Sequence, residues 1–283
     1  MTEDRIHRAT SEDGTQVTAH VHGQGPPLIL LPAGPADAET TWHYALPYLS
    51  ESFTCHLLNT RGRGLSADHP DHSPERMIED IRAFAESIGG PVALVEWGSF
   101  VGASWSLVAA QGSSSVSAVA TYDPLVLEVA SEQDAAQIQG IFERIAELAT
   151  DGRLTDAART FVEAMATHGY YTEEDMADGA AEGLWGASLQ NIPMFVQELD
   201  VAESEGTVWT QPATLAATTV PVLLLHGARS HPMNIEFVHY VADHLADPHV
   251  REVADAGHYG PHTQAEAIAR EIMRFLEPAL VRA

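Results

Sequence analysis

Three side chains carry types and surroundings suited to chemistry. Glu96 directly follows the apolar run Val92–Val95 and precedes Trp97-Gly98-Ser99. A carboxylate in poorly solvated, apolar surroundings gains proton affinity, which brings it into the range of general acid–base work. It can then serve as nucleophile, base or acid. His258 stands in Ala256-Gly257-His258, just before the last helical stretch. An imidazole that accepts a proton needs a fixed tautomer and a nearby negative charge. Asp123, in Thr121-Tyr122-Asp123-Pro124 at the end of an apolar run, could supply that charge, or could simply cap the segment that follows.

Other groups carry less. Asp68-His69-Pro70-Asp71-His72 has metal-binding residue types but is polar and Pro-rich, and it reads as a solvated loop; no metal is expected. His226 at a strand end and His262 at the start of the last helix suit packing. Cys55 is the single cysteine, so a disulfide framework and a cysteine metal site are both excluded, and its apolar neighbours mark a buried thiol.

The elements that must position these residues alternate. Gln16–Val21, Pro27–Leu31, Phe53–Leu58, Val92–Val95, Val116–Tyr122, Val220–Leu225 and Val250–Val253 have strand patterns. Thr41–Leu49, Glu75–Ile88, 98–110, Ile235–Leu245 and Ala265–Leu276 have helical spacing. The alternation predicts an α/β fold with a mostly parallel sheet flanked by helices. From about 128 to 210 the chain is acidic and helical with no convincing strand. This stretch is expected to form a cap, inserted after the sixth strand into a core of residues 1–127 and 211–283. Ligands bind at the carboxyl ends of such strands, so the cap would lie over the site.

The 283 residues are 45% apolar, enough for one such core and its cap. All 14 basic residues are arginine and the formal charge is −26. That surface repels phosphate backbones and anionic lipids, which argues against nucleic-acid and membrane partners. No apolar run approaches the roughly 18 residues of a membrane span, and the charged N-terminus lacks a signal peptide's apolar stretch, so a cytoplasmic location is expected. Homodimerisation is left open.

Several segments together resemble the α/β-hydrolase superfamily. Leu30-Leu31-Pro32-Ala33-Gly34-Pro35 is similar to its His-Gly-x-Pro loop, with Pro32 in place of histidine. Asn59-Thr60-Arg61-Gly62-Arg63-Gly64-Leu65-Ser66 is similar to its Asp-x-Arg-Gly-x-Gly-x-Ser segment, and Ala256-Gly257-His258 to its catalytic histidine loop. In this fold the nucleophile sits on a sharp strand-to-helix turn and needs small neighbours two residues away. With Gly98 as the turn residue, bulky Phe100 follows at that distance. With Ser99, Trp97 and Val101 flank it. With Glu96, Gly98 takes one of the two small positions and Leu94 the other. Glu96-Trp97-Gly98 then resembles the Asp-Trp-Gly turn of haloalkane dehalogenases and epoxide hydrolases, which use a carboxylate nucleophile.

That resemblance implies Glu96 as nucleophile and His258 as base. It implies an oxyanion hole from the N–H groups of Gly34 and Trp97, a small apolar substrate and no cofactor. Tyr170 and Tyr171 of the cap would donate hydrogen bonds as epoxide hydrolase tyrosines do. There are departures. Glutamate is one methylene longer than aspartate, Gly34 lacks the neighbouring asparagine that holds halide, and Ser230 stands where the acid usually follows the seventh strand. Asp123 is the alternative acid, as in some dehalogenases. The readings are a hydrolase with a Glu96 ester, a cyclase, isomerase or lyase using Glu96 and His258 as an acid–base pair, and a ligand-binding protein without catalysis.

Overall fold

A computed structural model describes residues 5–98, 102–124, 126, 129–167, 190–198 and 210–281. Eight strands run along the chain: β1 (Arg5–Thr10), β2 (Gln16–His22), β3 (Pro27–Leu30), β4 (Thr54–Asn59), β5 (Val92–Trp97), β6 (Val116–Tyr122), β7 (Val222–Gly227) and β8 (Pro248–Val253). They form one sheet in the order β1-β2-β4-β3-β5-β6-β7-β8. β2 pairs antiparallel with β1 and β4, and the remaining pairs are parallel. The central strands are buried on both faces, which is why their sequences are nearly continuous apolar runs rather than alternating ones.

Helices α1 (Ala38–Trp42) and α2 (Leu46–Leu49) follow β3, α3 (Pro74–Ile88) follows β4, and α4 (Gly102–Ala110) follows β5. In α3, Met77, Ile78, Ile81, Phe84 and Ala85 line the buried face; Pro74 starts the helix, and Gly89, with φ of 80°, ends it. The stretch expected as one helix over Thr41–Leu49 is two short ones. Between β6 and β7 the described regular elements are all helices: α5 (Glu132–Thr150), α6 (Leu154–Thr167), α7 (190–198) and α8 (Pro212–Ala216). Ser131 caps α5 by accepting from the Asp134 amide, and α5 buries Ile138, Ile141, Ile145 and Leu148. After β7 come α9 (Pro232–His244), then β8, α10 (Gly260–Thr263) and α11 (Ala265–Val281). This is the α/β-hydrolase fold that the sequence motifs led us to expect.

Candidate active site

The carboxyl ends of β5, β6 and β7 converge on one imidazole. Asp123 lies one residue beyond β6. It is fully buried, and its backbone is left-handed, with φ of 46°. Its Oδ2 stands 3.1 Å from His258 Nδ1. The same oxygen accepts from Ser230 Oγ at 2.6 Å and from Asn234 Nδ2 at 3.2 Å. Ser230 is tied in turn, because its Oγ accepts from the Gly227 amide at 3.0 Å. Tyr122 donates its hydroxyl proton to the Gly257 carbonyl, which anchors the loop carrying His258 to the end of β6. With Nδ1–H directed at the carboxylate, Nε2 is the basic nitrogen of the ring.

Nε2 points toward Gly98. A β-carbon built on Gly98 would lie 2.6 Å from His258 Cε1, 3.4 Å from Nε2 and 2.7 Å from the Asp123 carbonyl oxygen. The imidazole therefore rests on the bare α-carbon of Gly98, and only glycine fits there.

Glu96 is placed differently from its expected position on the turn. It is the penultimate residue of β5, in register with Thr121 of β6, while Trp97 is in register with Tyr122. Successive strand residues point to opposite faces. Trp97 packs at 5.8 Å from His258, 5.2 Å from Tyr259 and 5.1 Å from His262, ring centre to ring centre. The Glu96 side chain takes the other face, beside the hydroxyls of Thr121 and of Ser106 in α4. Glu96 makes no direct hydrogen bond to His258: neither carboxyl oxygen completes a well-directed hydrogen bond among the described residues. Glu96 is 1% exposed. Burial pushes its pKa up to about 8, against the opposing pull of the two hydroxyls.

Trp97, expected to supply an oxyanion amide, lies within β5 in register with Tyr122 of β6, and the next amide, that of Gly98, donates to Tyr122 O at 2.7 Å. Gly34, with φ of 48°, sits in the loop after β3, where an added β-carbon would lie 3.8 Å from the Phe161 ring of α6. Tyr170, Tyr171 and Ser99 lie outside the described residues. His262 donates from Nε2 to Thr41 O at 2.9 Å and is buried, consistent with packing.

Arg63 was not singled out from the sequence, yet it holds the Gly34 loop. Its Nη1 donates to Gly34 O at 2.6 Å and to Ala36 O at 2.8 Å, and its Nη2 reaches Glu198 of α7 at 2.5 Å. Both side chains are buried, and burial raises the Glu198 pKa while Arg63 opposes that. Breaking such a pair from one side strands a buried charge. Glu198→Ala should cost about 3–5 kcal/mol, and the joint change Arg63→Met with Glu198→Leu should not restore stability, because the Gly34 and Ala36 carbonyls then lose their donor. Urea midpoints of the three proteins test this; equal midpoints for Glu198→Ala and wild type would refute it.

Set beside known proteins, residues 21–271 match the model of the alpha/beta hydrolase family. The chain belongs to that family and is an enzyme of the hydrolase type. A curated relative from Metapseudomonas resinovorans, 2-hydroxy-6-oxo-6-(2'-aminophenyl)hexa-2,4-dienoic acid hydrolase, is 23% identical over 96% of this chain and 91% of its own length. Among solved structures, a thermophilic esterase from Thermogutta terrifontis superposes with a TM-score of 0.78 at 19% identity, over 97% of this chain and 99% of its own. An enol-lactonase from Burkholderia xenovorans does so with a TM-score of 0.75 at 16% identity, over 95% of this chain and 99% of its own. At these identities the solved structures speak for the fold alone.

Proposed function

We propose that this enzyme hydrolyses a small, largely apolar carbonyl compound, using water activated by His258 and no covalent enzyme ester. The observation that carries the reading is the pairing of a buried Asp123–His258 couple with a glycine, Gly98, beneath the imidazole. Nε2 takes a proton from water as the water oxygen bonds to the carbonyl carbon. Asp123 stabilises the imidazolium so formed. That proton then passes to the departing group as its bond to the carbonyl carbon breaks. The curated relative's keto-dienoic acid contains such a carbonyl, which supports this substrate class.

The dehalogenase- and epoxide hydrolase-like reading asks Glu96 to attack as an anion. A carboxyl held between β5 and α4, with its pKa raised to about 8, is mostly neutral at pH 7 and turned from the imidazole. Proton transfer without hydrolysis, as in an isomerase or lyase, uses the same His258–Asp123 couple and is favoured if substrate carbon, rather than water, meets Nε2.

The test is turnover of p-nitrophenyl acetate and of the relative's dienoic acid, together with intact-protein mass during turnover. Ser99→Ala should keep at least about a tenth of the activity, and His258→Ala should lose a hundredfold or more, within the range of general base catalysis. A mass adduct on Ser99 or Glu96, or an inactive Ser99→Ala, would replace this mechanism with a covalent one.

A further inference from the structure

We infer that Ser230 and Asn234 are positioning residues that aim the Asp123 carboxylate at His258. The inference deepens the proposed reading of the site, on which its catalytic consequence rests. Asp123 reaches the imidazole from the end of β6, while Ser230 and Asn234 come from the β7 side, from the loop after β7 and the first turn of α9. Asp123 Oδ2 takes three donors, Ser230 Oγ at 2.6 Å, His258 Nδ1 at 3.1 Å and Asn234 Nδ2 at 3.2 Å, whereas Oδ1 takes none among the described residues. A carboxylate turns readily about its terminal torsion. Two fixed donors on one oxygen stop that rotation and keep Oδ2 in front of Nδ1.

Asn234 is buried, and its amide orientation follows from charge: the reverse orientation would press its carbonyl oxygen against Oδ2. Its Nδ2 also lies 3.1 Å from His258 Nδ1. Nδ1 cannot donate to Asp123 and accept from Asn234 at once. The anion is the stronger acceptor, so both groups donate to Oδ2 and the close approach of the two nitrogens results from that shared target.

The test needs no substrate. In the intact protein labelled with 15N-histidine, the Nδ1-bound proton of His258 should give a resolved downfield resonance. Asn234→Leu and Ser230→Ala should each broaden it, the double variant should lose it, and Ser230→Thr, which keeps the hydroxyl, should retain it. Melting temperatures monitor the fold, so a variant that unfolds is replaced by Asn234→Ser. Absence of the resonance in the wild-type protein, or its survival in a folded double variant, would overturn the inference. With an active substrate in hand, kcat should fall at least tenfold with KM within twofold. Loss of the resonance with unchanged kcat would leave the clamp standing and remove the hydrolytic reading instead.

Discussion

Asp123→Asn should lower turnover by about a thousand- to ten-thousandfold, the loss seen when the acid of a serine protease triad is neutralised, while leaving the melting temperature close to wild type. The two expectations have separate causes. Asn matches Asp in shape, and with Asp it is among the non-glycine residues most tolerant of left-handed backbone, so φ of 46° at this position is kept. Asp123→Ala would lose that tolerance and confuse strain with chemistry. What Asn cannot do is stabilise an imidazolium, and the amide can present its NH2 to Nδ1, which favours the wrong tautomer. Measured kcat and thermal unfolding decide the matter, and a loss below tenfold would remove His258–Asp123 as the working pair. Because Ser230 Oγ is 2.6 Å from the Asp123 oxygen, adding Ser230→Asp to Asp123→Asn returns a carboxylate from the neighbouring loop. Partial recovery of turnover is the expected outcome of that double change.

The sheet was legible because its central strands are unbroken apolar runs, and the approach of Asp123 to His258 followed from placing one at the end of β6 and the other on the loop before the final helices. The turn register was not legible. The apolar run ends at Val95, but β5 continues through Trp97 because β6 extends far enough to pair Thr121 with Glu96 and Tyr122 with Trp97. Those two extra ladder positions move the turn from Glu96 to Gly98 and put the carboxylate on the face beneath α4. Ladder length depends on a partner 25 residues further along the chain, which local pattern does not reveal. The edge strand β1 was missed for a related reason: Arg-Ile-His-Arg-Ala-Thr is mostly exposed and has little apolar period. Asn234 and Arg63 gave no signal because their importance lies in what they reach, Asp123 in one case and Gly34 and Glu198 in the other.

Glu96→Gln should stabilise the protein, and increasingly so as pH rises. In the unfolded chain Glu96 titrates near its ordinary value of 4.5, whereas burial raises the folded value to about 8. Between those values the folded protein binds one more proton at this site than the unfolded chain. Stability from this group is therefore complete below about pH 4.5 and declines as pH rises toward about 8. At about 1.4 kcal/mol per pH unit the decline amounts to at most about 5 kcal/mol, less whatever relaxation of α4 and entry of water return. Glutamine is neutral throughout and can bond the hydroxyls of Ser106 and Thr121, so it removes the decline. Urea midpoints of both proteins from pH 5 to pH 8.5 should diverge steadily, with the variant above wild type at the alkaline end. The same variant separates the two roles proposed for this carboxyl. As a neutral core group Glu96 can be replaced with less than about a tenfold loss of turnover. As nucleophile or essential acid it cannot, since an amide neither forms the ester nor donates the proton. A hundredfold loss with parallel pH–stability curves would place Glu96 back at the centre of the chemistry.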